Sequence, residues 1–138
     1  MALRAFTVLC VAAILFTAGG CSRIYGPVKE AKALMEAKDD VLNEWAKILE
    51  TNPNEGGIER ARKYLEEKKS DLMAKRDAVK NAPQGMNSDW QTMLVEHEAR
   101  TSKALQQMKI DLGVASTYET AQKLDPVIKD FEDATKRY

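Results

Sequence analysis

From residue 27 onward, apolar positions recur at steps of three and four. "PVKEAKALMEAKDDVLNEWAKIL", residues 27–49, places Val28, Ala31, Leu34/Met35, Val41/Leu42, Trp45 and Ile48/Leu49 on one helical face. Lys38 alone interrupts that stripe, and its methylenes can lie along apolar surface. "TNPNEGG" then reads as a turn, with an Asn to cap the next helix. Residues 58–82 predict a second helix with a narrower stripe: Ile58, Leu65, Leu72 and Val79 recur every seven residues beside Ala61 and Tyr64. Lys68 and Lys75 stand where a second apolar row belongs, so this helix should be largely solvated, with Glu59–Lys63 and Asp71–Lys75 as favourable i,i+4 pairs.

"PQGMNS" breaks the pattern again, and Ser88 with Gln91 fits a capping box. A third helix over 89–112 aligns Trp90, Leu94, His97, Thr101, Ala104/Leu105, Met108 and Leu112, with Gly113 as its stop. "STYE", residues 116–119, suggests another capping box. The last segment turns Tyr118, Ala121, Leu124, Val127/Ile128, Phe131, Ala134 and Tyr138 inward. Pro126 makes it either one kinked helix or a short helix followed by a new one, because proline is costly inside a helix and cheap at its first position.

Four helical segments with short connections predict an all-α fold, an antiparallel up-down-up-down four-helix bundle. Trp45, Trp90, Tyr118 and Phe131 are its expected core anchors. The narrow second stripe keeps an elongated three-helix or coiled-coil assembly as the alternative.

The first twenty residues follow a different rule. Arg4 and the amino terminus open with positive charge, and "AFTVLCVAAILFTA", residues 5–18, is an uncharged apolar run. As a helix it would rise about 21 Å, short of the ~30 Å hydrocarbon core of a bilayer. A basic start, a short apolar core and small residues at its end mark a cleavable signal. The small residues "AGG" lead directly into Cys21. This stretch resembles the lipobox of bacterial lipoproteins, with Ala18 where that family prefers Leu. The resemblance implies cleavage before Cys21, a diacylglycerol on its thiol and a fatty acid on the new amino group. Ser22, where enteric-type bacteria place Asp to retain a lipoprotein in the inner membrane, implies an outer-membrane location facing the periplasm. The expected organisation is therefore a signal peptide over 1–20, a lipidated cysteine and tether over 21–26, and a helical domain over 27–138. The domain itself resembles no specific family, only the general type of the helical periplasmic lipoprotein.

Charge and cysteine usage add one exclusion each. Without residues 1–20, which hold Arg4, twenty Lys and Arg face twenty-one Asp and Glu. That balance lacks the basic footprint of a nucleic-acid binder. With Cys10 removed and Cys21 acylated, no thiol remains for a disulfide, so burial alone must hold the fold.

The candidate chemistry is sparse. His97 is the sole histidine and lies on the apolar stripe. With a methionine such as Met35 from a facing helix it could supply the axial pair of a haem. Four-helix b-type cytochromes, however, carry that histidine on the last helix, and none is present there. The plainer reading is a histidine at the core edge, hydrogen-bonded to a neighbour. "EHE", residues 96–98, cannot converge on one ion, because consecutive helix residues point about 100° apart. The methionines read as core gap-fillers. No nucleophile–base set or phosphate loop is present, so the chain is read as non-catalytic and without a cofactor. The outer face of the second helix, dense in Arg60, Arg62 and Lys63, is either a wet surface or a partner-docking face. The expected role is a lipid-anchored interaction or structural module of the bacterial envelope, with a membrane and an envelope protein as partners. A small-ligand or haem carrier is the alternative.

Overall fold

The computed structural model describes residues 25–136 and contains no strand among them. Five helices follow one another: α1 Val28–Thr51, α2 Glu55–Asn81, α3 Asp89–Ala115, α4 Tyr118–Gln122 and α5 Asp125–Thr135. Chain direction alternates, so the all-α bundle has the expected up-and-down course. Its neighbours are less simple. α1 and α2 form an antiparallel hairpin, α3 lies along α1, and α5 lies along α2. The pairs α1/α3 and α2/α5 each run parallel: Ala31 and Leu34 meet Trp90 and Leu94, and further along both helices Asp39 meets His97. The connection over 82–88 thus crosses one end of the bundle. The end where α1 and α3 begin and α2 finishes is the lower end, and the opposite one is the upper end.

The α1 stripe is buried as its spacing demands, at Ala31, Leu34, Val41, Leu42, Trp45 and Leu49, and Lys38 is buried among them. α2 buries the narrow seven-residue row Ile58, Leu65, Leu72 and Val79, with Ala61. The Asn54 side chain accepts a hydrogen bond from the Gly57 N–H at 3.0 Å, so α2 starts at Glu55, one turn before its first large apolar residue. Asp71 pairs with Lys75 as expected, whereas Glu59 bridges to Arg62 at 3.4 Å, a three-residue step.

Several local expectations are corrected. Ser88 precedes α3 without a side-chain cap, and the Asn87 side-chain Oδ1 accepts the Asp89 N–H instead. Gly113 does not stop α3. The helix continues to Ala115 and ends where the Ser116 N–H and hydroxyl both donate to the Leu112 carbonyl. Thr117, not Ser116, caps α4, through the Thr120 N–H. Ala104 and Tyr118 are exposed, Tyr118 at 74 %. Once Thr117 is the cap, Tyr118 is the first residue of a five-residue helix whose inward position is Ala121. Tyr138 lies outside the described residues. At the proline the chain breaks: α4 ends in a turn over Lys123 and Leu124, and Pro126 sits in the first turn of α5, where its missing N–H costs nothing.

The core consists of two apolar clusters. The upper one packs Val41, Trp45, Leu49, Leu65, Leu72, Leu105, Met108, Leu124 and Phe131 with their neighbours. Trp45 is fully buried there; its Nε1 donates to the Ala61 carbonyl at 2.9 Å, and its ring meets Phe131 tilted at 5.4 Å. The lower cluster comprises Ala31, Leu34, Val79, Trp90 and Leu94, all from α1, α2 and α3. α5, with eleven residues, is about 16 Å long against about 40 Å for α2. The bundle therefore has four helices above and three below.

Candidate functional site

The chain enters the fold at the lower end. Trp90 in the first turn of α3 is 4 % exposed and donates its Nε1–H to the Gln84 carbonyl at 3.1 Å. Gly26 packs against this pair. Its φ is +65°, and a Cβ placed on it would lie 2.4 Å from the Gln84 oxygen and 2.6 Å from Trp90 Nε1. Any side chain at position 26 would therefore meet backbone, in a conformation that already disfavours one. Pro27 is buried behind it, and its carbonyl receives the Ala31 N–H at 2.8 Å to open α1. Five residues after Cys21, the chain is thus locked onto the bundle. Cys21 itself, like the signal over 1–20, lies outside the described residues.

Two exposed apolar side chains flank this entry. Tyr25 is 47 % exposed, and Met86, lifted on the turn made by Gly85 at φ +69°, is 91 % exposed. Pro83 on the same loop and Lys29 and Lys80 on the adjoining helix ends are also exposed.

His97 lies between the two apolar clusters, with its side chain only 3 % exposed. Its Nε2 is 2.8 Å from Asp39 Oδ1 on α1, and its Nδ1 is buried without a hydrogen-bond partner. This arrangement matches the plain reading of a core-edge histidine bonded to a neighbour. Met35 is half-buried beside the lower cluster. Among the described residues, no three His, Cys, Asp or Glu side chains are grouped to hold a metal ion.

Arg60, Arg62 and Lys63 all lie exposed on the outer face of α2. Nearby, an open groove runs between α1 and α2, with Glu36, Asp40 and Glu44 on one wall and Tyr64, Lys68 and Lys75 on the other. Lys68 Nζ sits 5.5 Å from the centre of the Tyr64 ring, a cation–π contact on a mainly polar surface. At the upper end, Lys123 in the α4–α5 turn binds Glu55 at the start of α2, and that hydrogen bond raises the Lys123 pKa above the ordinary lysine value.

The side-chain pattern marked His97, Trp90 and the α2 face as notable. It missed Gly26, Gln84 and Asp39. Of these only Gly26 carried a signal, as a glycine immediately before a helix-opening proline. No family model, curated protein or solved structure matches this chain.

Proposed function

We propose that the protein is a lipid-anchored module of the bacterial envelope, held in a membrane by Cys21, that presents a helical bundle to a protein partner rather than catalysing a reaction. The observation that carries this reading is the short covalent distance between anchor and fold. Cys21 follows an apolar segment too short to span a bilayer, and the chain is packed into the bundle by Gly26. No helix among the described residues is long and apolar enough to cross a membrane; in this reading the acylated cysteine makes the attachment. The acyl chains supply stable anchoring when two or more are present.

The partner face we favour is the outer surface of α2. Its charges are exposed, and charge complementarity tunes association rate and specificity. Outer-membrane placement facing the periplasm follows from Ser22 by the same resemblance.

Replacing Cys21 with Ser should release the protein from the membrane fraction, and retention after a high-salt wash would refute the anchor. Crosslinking in the native host should capture a partner. Reversing Arg60, Arg62 and Lys63 to Glu should weaken that capture in a salt-dependent way, with the helical circular dichroism spectrum unchanged. Equal capture by the folded variant at low salt would move the partner site off α2.

A further inference from the structure

Resting on the lipid-anchor reading, we infer that the lower end of the bundle is a second membrane contact, with Tyr25 and Met86 inserted among the lipid headgroups.

The geometry begins with reach. From Cys21 to Gly26 there are five residue steps, which span at most about 18 Å however the chain is arranged. An acylated Cys21 lies at the bilayer surface, since its acyl chains are inside the bilayer. The Gly26 backbone packs against the Gln84 carbonyl and Trp90 Nε1, so the 82–88 loop is brought within the same short distance of the lipid. α1 rises away from this point for 24 residues, about 36 Å. The lower end therefore meets the membrane before any other part of the fold.

The chemistry of that end suits a headgroup layer. Met86 is the most exposed large apolar side chain among the described residues, at 91 %, and it stands on a loop tip instead of filling a gap in the core. Tyr25 offers an apolar ring with a polar tip, a form favoured where one side is apolar and the other wet. Lys29 and Lys80 are exposed on the adjoining helix ends, and long cationic side chains reach phosphates while their stems stay along apolar surface. Asp89 on the same end is turned back into its own loop, where it accepts from the Asn87 amide at 3.1 Å. Of the other exposed apolar residues among those described, Ile110, Val114 and Tyr118 lie near the upper ends of α3 and α4, a bundle length away, while Val95 and Met73 lie on the sides of α3 and α2 rather than on the end itself.

The full chain distinguishes this contact. Met86→Cys and Val114→Cys each replace an exposed side chain, at 91 % and 84 %, so neither should disturb folding. With Cys21 acylated, each variant carries one free thiol for an environment-sensitive fluorophore. In the isolated host membranes, the label at position 86 should be blue-shifted and lose intensity to a spin-labelled phospholipid, while the label at 114 keeps its aqueous spectrum. A label at 86 with the same spectrum as at 114 overturns the proposal. A blue-shifted label that the lipid quencher cannot reach also overturns it, because a protein then covers the loop. The mass of the processed N-terminus of the same sample separates the two levels. With acyl chains on Cys21 and an aqueous label, only the second contact falls; without acyl chains, the anchor reading falls as well.

Discussion

At the level of single residues, the His97–Asp39 pair is the arrangement with most at stake. A buried polar group that loses its partner costs about 1–3 kcal/mol, whereas replacing both partners with apolar groups can be nearly neutral. His97 is 2 % exposed and bonded through one nitrogen only. Asp39→Ala leaves both ring nitrogens buried without that carboxylate and should destabilise the domain by about 1–3 kcal/mol. His97→Leu removes the ring's polar atoms together with their demand. The double variant should therefore be less destabilised than the sum of the single ones, which denaturant unfolding of all four members of the cycle measures. Additive losses would show that the 2.8 Å contact contributes nothing in solution. Trp45 and Trp90 were legible as anchors because large apolar rings on a helical stripe have nowhere else to go. Asp39 was not, because an aspartate beside a lysine on a helix looks like wet surface until the opposing helix is in place.

At the level of elements, helix existence was plain and helix ends were not. Ends are decided by which polar group takes the first free N–H, and several candidates stand side by side in "ASTYE" and "MNSD". Asn87 and Thr117 won through geometry that spacing alone does not rank. The break between α4 and α5 settles what Pro126 left open, and it lets the Lys123 ammonium reach Glu55 at the start of α2. Because folding raises the Lys123 pKa, the pair's contribution is fully present below the ordinary lysine value of about 10.4. It is lost as the pH rises through the higher folded value. The pair is solvent-exposed, so the effect on stability is small. Its clearest readout is NMR titration of the Lys123 side chain: Glu55→Gln should bring the midpoint down toward the ordinary value, and an unmoved midpoint would exclude Glu55 as the cause.

At the level of the whole molecule, the two apolar clusters are unequal. The upper one draws on all five helices and holds the Trp45–Phe131 contact, while the lower one is built from three helices around Trp90. Between them lies a layer containing buried Lys38, His97 and Thr101. Local opening follows the density of buried apolar contact. Amide hydrogens in the first turns of α1 and α3 and the last turns of α2 should therefore exchange faster than those around Trp45, Leu65 and Leu105. Uniform protection along α1 would mean that the two clusters open as one unit. Membrane contact at the lower end would add support where the core is thinnest, so exchange there should slow in the anchored protein relative to Cys21→Ser.

The sequence by itself determined the helical class, the number of long segments and the faces they bury, because burial selects a 3.6-residue period and each stripe reports its own buried side. It also carried the expectation of an anchor, since a lipobox is a local pattern read in an extended chain. Only the tertiary structure decided which helices lie side by side. The seven residues over 82–88 are long enough to cross the bundle end, so connection length does not choose between α2 and α1 as the neighbour of α3. It alone revealed Gly26 as the docking point of the chain, because the need for glycine arises from the Gln84 carbonyl and the Trp90 ring, some sixty residues away in sequence. It alone joined Asp39 to His97, a pairing that exists only once α1 and α3 lie parallel in register.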